Sequence, residues 1–147
     1  MIVFYRFPGL ISVLALLWYA ALVLAVFKLI PITLTLAGIG GLILSVGMAV
    51  DANILVFARM REELKSGKSF VAALEEGFSR AWPSIRDGNG TTLLVAFILF
   101  QFGSSFVKGF AVALAIGIIA SMISAMMVTR VLLRLIRGTI LERIAKI

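Results

Sequence analysis

Three apolar runs decide most of what this chain can fold into. Leu10–Leu29, Leu34–Phe57 and Val107–Val128 each have the roughly 20 residues that a helix needs to cross the hydrocarbon core of a bilayer. Lipid offers no partner for a backbone N–H or C=O, so such a run has to bond within itself, as a helix. Pro31 marks the end of the first run. A fourth span is weaker, because its apolar core, Leu93 to Phe102, is too short alone and has to be extended back to Pro83, a favourable first-turn residue. That extension gives a span over 83–103. With 62% hydrophobic and 14% charged residues, against about 45–50% and about 25% in soluble domains, the expected fold is an all-α membrane bundle of four spans, about 10–29, 34–57, 83–103 and 107–129.

Between the second and fourth of these runs, Phe70, Leu74, Phe78 and Trp82 recur every four residues, with Ser69 placed to cap. This predicts an amphipathic helix over 69–82, lying at the membrane interface or packed on the bundle. "MIVFY" reads like the last turn of a helix begun elsewhere, which suggests an excised domain. No small-residue cleavage site follows the first run, so it does not read as a signal peptide.

Composition narrows the chemistry. The chain has neither cysteine nor histidine, which removes the thiolate nucleophile, the usual general base and the commonest metal ligands. No enzyme, metal or cofactor is expected. The net charge of +7 lies in short segments between apolar runs, a pattern that orients membrane helices and meets anionic headgroups instead of nucleic acid. Arg6, the six basic residues from Arg59 to Arg86, and the five from Arg130 to Lys146 fall on one side if the spans alternate, leaving Lys28 and Lys108 opposite. The crowded side is expected to be cytoplasmic, with a cytoplasmic tail over 130–147.

The second run carries the residue that apolarity does not explain. Ala37, Gly41, Ser45, Ala49 and Asn53 form a row of small side chains that lets helices approach closely in lipid. On the other side Gly40, Gly47 and Asp51 align within about 40°. A helix small on both sides is expected at the centre of the bundle, with Asp51 facing protein or a water-filled crevice. A carboxylate inside a span costs about 2.5–3.5 kcal/mol on insertion scales. Such a group either loads and releases protons or is a permanently satisfied structural acid. No basic residue of the chain shares its depth in another span, so a counter-cation has to come from a helix end or from another polypeptide. Asp87, with Asn89, Thr91 and Thr92, caps the fourth span or lines its polar entry. Ala113, Gly117, Ser121 and Ala125 repeat the small row on the last span, and Glu62 and Glu63 beside Arg59 and Arg61 read as a solvated charge cluster.

The runs "GMAVDANILVFARMREEL" (47–64), "DGNGTTLL" (87–94) and "VKGFAVALAIGIIASMISAMMVTR" (107–130), with "YRFPGL" at 5–10, resemble the SecD-type C-terminal membrane domain of the SecD/SecF protein-export family. That family is itself similar to proton-driven RND permeases. The resemblance covers essentially the whole chain. It implies the third to sixth spans of a six-span set, with the end of the second span at Met1–Tyr5, a turn at 5–10, and the first span and a large external domain absent. It also implies a bacterial inner-membrane subunit that couples the proton-motive force to preprotein export with SecF, SecYEG and SecA. Asp51 then matches the family's membrane carboxylate for proton passage, Asp87 and Asn89 match its second polar motif, and part of the polar site comes from SecF. Two positions depart from the pattern: Gly90, where a bulkier residue is usual, and Phe106, where Pro is common. Without the resemblance, a proton-driven exporter of lipids or small molecules and a non-transporting scaffold stay open.

Overall fold

In the computed structural model, which describes residues 2–30 and 35–135, the chain is entirely helical. In order it forms α1 (Ile2–Leu29), α2 (Leu36–Lys65), α3 (Phe70–Phe102), α4 (Ser105–Ile123), a π-helical turn (Ser124–Val128) and α5 (Thr129–Leu135). Among the described residues three stretches are long and apolar enough to cross a membrane, Gly9–Leu29, Leu36–Lys65 and Ser105–Leu135. Pro31, Leu34 and residues 136–147 lie outside the described residues.

Two expectations change. α1 is helical from Ile2, so the turn expected at Tyr5–Leu10 is absent. The separate helix expected at 69–82 and the span expected at 83–103 are one helix of 33 residues, with Pro83 inside it. A proline removes one N–H and crowds the carbonyl four residues back. Here an unbroken stripe of Phe70, Leu74, Phe78, Ala81 and Ile85 buries against Ala52, Val56, Phe57 and Met60 of α2 and carries the helix through. The stripe therefore packs on the bundle. Gly77 lets the two helices close: a Cβ there would sit 2.8 Å from the Met60 nitrogen.

Caps set the other boundaries. Thr35 accepts from the Gly38 amide at 3.1 Å to start α2, and Ser69 accepts from the Ala72 amide at 3.3 Å to start α3. The α2–α3 turn rests on Gly67, whose φ of 88° favours a residue without a Cβ.

α2 is the helix around which the others assemble. Its Gly38, Gly41, Ser45 and Ala49 are buried, with Gly38 and Gly41 close against α4, and a Cβ at Gly41 would lie 2.7 Å from the Phe110 carbonyl oxygen. α1 adds Ile11, Ala15, Tyr19, Val23 and Phe27, all buried and all four residues apart. Tyr19 donates to Ser45 Oγ at 2.7 Å, because the one Ser45 hydroxyl proton is given to the Leu42 carbonyl, also at 2.7 Å. Gly117 of α4 crosses at the same point, where a Cβ would overlap Ser45.

Candidate functional site

Asp51 stands on the outward side of α2, solvent-exposed, on a cleft between α2 and α3. The cleft has a volume of about 370 Å³ and is lined by Met48, Asp51, Ala52 and Leu55 of α2 and by Ser84, Ile85, Gly88, Asn89 and Thr92 of α3. Asn53, two residues on, points the other way and is buried. The same periodicity that turns the small row inward turns the carboxylate outward.

On α3, residues three and four apart share a face, which is why Ser84 or Ile85, Gly88 or Asn89, and Thr92 meet the same cleft. Asn89 is buried to 6% exposure, and Thr92 spends its hydroxyl proton on the Gly88 carbonyl at 3.1 Å. Gly88 narrows nothing: a Cβ there would have open space. The cleft thus presents one carboxylate, one primary amide and two hydroxyl side chains in otherwise apolar walls. Among the described residues no Lys or Arg forms an ion pair with Asp51.

Asp87 is not part of this cleft. It lies well inside α3, so it caps no helix, and its carboxylate pairs with Arg86 Nε at 2.8 Å with both side chains mostly exposed. Thr91 donates to the Asp87 carbonyl at 2.8 Å and stays on that outer side. Gly40 and Gly47 face open space, with nothing within 4 Å of a Cβ at either, so neither brings a helix of the described residues close. Gly41, Ser45, Ala49, Asn53, Ala113, Gly117 and Ser121 are all buried. Gly90 is exposed within α3, and Phe106 is exposed on the first turn of α4.

Two ion clusters at the charged end were not legible as clusters in the sequence. Glu63, expected in solvent, has a side chain only 6% exposed and is held by Lys68 at 2.6 Å and by Arg80. Lys68 also reaches Glu76 at 3.2 Å, and these carboxylates, Glu63 first, raise its pKa. Glu62 pairs with Arg59 at 2.9 Å in solvent. Across the bundle Glu75 receives Arg130, and Arg134 at 2.6 Å. Their hydrogen bonds, that of Arg130 foremost, hold the Glu75 carboxyl below the usual glutamate range. A long-range pairing of this kind has no local signature.

Residues 1–139 match the family described as "Protein export membrane protein SecD/SecF, C-terminal". The chain belongs to the SecD/SecF protein-export membrane family. The "Protein translocase subunit SecD" of Thermobaculum terrenum is 56% identical over 147 residues, 97% of this chain and 28% of that protein. The protein of the same name from Dehalococcoides mccartyi is 58% identical over 144 residues, 95% of this chain and 32% of that protein. The crystal structure of SecDF, a translocon-associated membrane protein from Thermus thermophilus, superposes with a TM-score of 0.90 at 43% identity, over 93% of this chain and 20% of that one. The chain therefore spans about a third or less of the SecD relatives it matches. Its helices are those of a SecD/SecF membrane domain.

Proposed function

We propose that this chain is the membrane domain of a SecD-type subunit that couples proton movement to protein export across a bacterial inner membrane. The observation that carries the reading is Asp51: a carboxylate in a spanning helix, with no ion-pair partner among the described residues, opening on a cleft that also holds Asn89, Ser84 and Thr92. A carboxylate so placed takes a proton from one aqueous side and gives it to the other as the bundle shifts. Asn89 can donate to the charged form and accept from the protonated one, so it serves both states. Asp87, paired with Arg86 in solvent, supports proton entry and is not in the cleft itself. One charge moved through 100 mV is worth about 2.3 kcal/mol, enough to shift a two-state bundle more than tenfold.

The counter-charge to Asp51, which the described residues do not supply, comes in this reading from a neighbouring polypeptide, SecF. SecYEG and SecA are the functional partners, a translocating preprotein is the substrate, and the bilayer is the solvent of the outer faces. α3 is the fourth span over 83–103, supported by the exposure of Leu94, Val95, Phe97, Ile98 and Phe100. The C-terminus is cytoplasmic by its basic residues.

Asp51→Asn in the intact protein tests the reading. Proton-dependent export is expected to be lost while membrane insertion is retained, and normal export in this variant would overturn the role. A proton-driven exporter of lipids or small molecules, or a scaffold, would instead leave preprotein export unchanged.

A further inference from the structure

The last apolar stretch does not run as one α-helix. Over Ser124–Val128 it is π-helical, and the Thr129 amide reaches back five residues to the Ser124 carbonyl. Such turns are uncommon and occur mostly as single bulges, often at functional sites.

Geometry explains what this one achieves. Ala113, Gly117, Ser121, Ala125, Thr129 and Leu133 are four residues apart and all buried. In an α-helix each step of four drifts by about 40°, so Thr129 would have left the face that Ala113 occupies. The extra residue in the π turn rotates the chain back and keeps Thr129 and Leu133 inward.

That register is fastened from outside the helix. Ser124 Oγ donates to the Ala15 carbonyl of α1 at 2.9 Å, and Thr129 Oγ1 donates to Asn53 Oδ1 of α2 at 2.8 Å. Asn53 in turn donates from Nδ2 to the Ala49 carbonyl at 3.1 Å. The Thr129 hydroxyl also lies 3.3 Å from the Ser124 carbonyl, so its one proton has an acceptor within its own helix if Asn53 withdraws. In an α register a threonine hydroxyl is satisfied in the same way, by the carbonyl three or four residues back. Neither register strands the hydroxyl. Beyond the turn, α5 is held by its two arginines on Glu75 and by Arg130 over the Phe78 ring at 5.7 Å.

We propose that Ser124–Val128 is a two-register joint. In the π register Thr129 is pinned to Asn53, and Arg130 and Arg134 grip Glu75. In the α register the pin is broken, α5 is turned by about 100°, and the grip is released. Because Asn53 lies two residues from Asp51 on the same helix, the joint carries a movement of α2 to the charged end of the bundle. This deepens the proton-relay reading, while its test makes no use of Asp51.

Spin labels on Ala72→Cys and Val131→Cys, both exposed, report the α3–α5 distance in the intact protein with any other cysteines removed. The parent is expected to show one narrow distance. Thr129→Val is expected to add a second population displaced by about 8 Å, the swing of a side-chain tip on a helix 10–12 Å across, and Thr129→Ser to abolish it. Deleting exposed Met127 removes the extra residue, leaving an α-helix with the downstream face unchanged. In that background Thr129→Val is expected to show only the parent distance. A single parent distance in Thr129→Val, or a second population that persists in the deletion, would overturn the joint. If Thr129→Val does not accumulate in the membrane, Asn53→Ala breaks the same bond from α2 and is read in the same way.

Discussion

A methyl group tells the glycines of α2 apart better than their spacing does. Gly41 and Gly47 both belong to regular small-residue patterns, and the sequence alone gives no reason to rank them. In the structure a Cβ at Gly41 meets the Phe110 carbonyl at 2.7 Å and the Leu114 nitrogen at 3.2 Å, both backbone atoms that move only if α4 moves. At Gly47 it meets nothing within 4 Å. Gly41→Ala is therefore expected to destabilise the bundle by about 1–3 kcal/mol, the usual cost of overpacking. Gly47→Ala is expected to be neutral or to stabilise by up to about 1 kcal/mol through helix propensity. Reversible unfolding in detergent micelles measures both. Equal losses at the two positions would mean that α2 is packed on both sides, as its sequence suggests. Asp51 shares the open side with Gly47, which is why a charged side chain is tolerated there without an ion-pair partner among the described residues.

Among the elements, α3 departs most from its sequence signals, and the reason is tertiary. Pro83 and the polar run around Asp87 look like a helix start, and Ser69 looks like another; the first is overridden by burial of the stripe from Phe70 to Ile85, and the second holds. The spans of α1, α2 and α4 were legible because apolarity in lipid leaves a helix no alternative. The π turn was not, since its cause is a match between a four-residue repeat and a distant Asn53. Nor was the Glu75 cluster, which joins residues 55 and 59 positions apart. Its pH response follows from the depressed carboxyl: the cluster contributes above the unfolded glutamate pKa of about 4.3 and loses that contribution as pH falls through the lower folded value. Glu75 is about a third exposed, so the effect is modest. Protection of the amides over 129–135, taken relative to the intrinsic exchange rate at each pH, is expected to weaken below about pH 4, and Glu75→Gln to show the weak protection at every pH. Strong, pH-independent protection in that variant would mean that packing alone holds α5.

For the molecule as a whole, the number of crossings decides how everything else is oriented. α1, α2 and the Ser105–Leu135 stretch are apolar enough to span, and α3 is not by composition, because its first half and centre carry Glu75, Glu76, Arg80, Arg86 and Asp87. Its second half is different. From Leu94 to Phe102 it exposes large apolar side chains in nearly every direction not taken by α4, and Phe102 is 88% exposed. In water such a surface would be costly, at about 25 cal/mol for each Å²; in lipid it is simply solvated. From residue 83 to 102, at about 1.5 Å per residue, the helix is also long enough to cross. If α3 crosses, the α2–α3 turn at Lys68 and the α3–α4 turn at Ser104 lie on opposite sides of the membrane. The absence of cysteine from these 147 residues makes this directly measurable in the intact protein, with any other cysteines removed, by single cysteines at Lys68 and Ser104 and a membrane-impermeant maleimide. Ser104→Cys is expected to react in intact cells, and Lys68→Cys only after permeabilisation, which also fixes the basic end as cytoplasmic. Reaction of both from the same side would leave three crossings and place the α2–α3 cleft, with Asp51, against the membrane surface instead of within it.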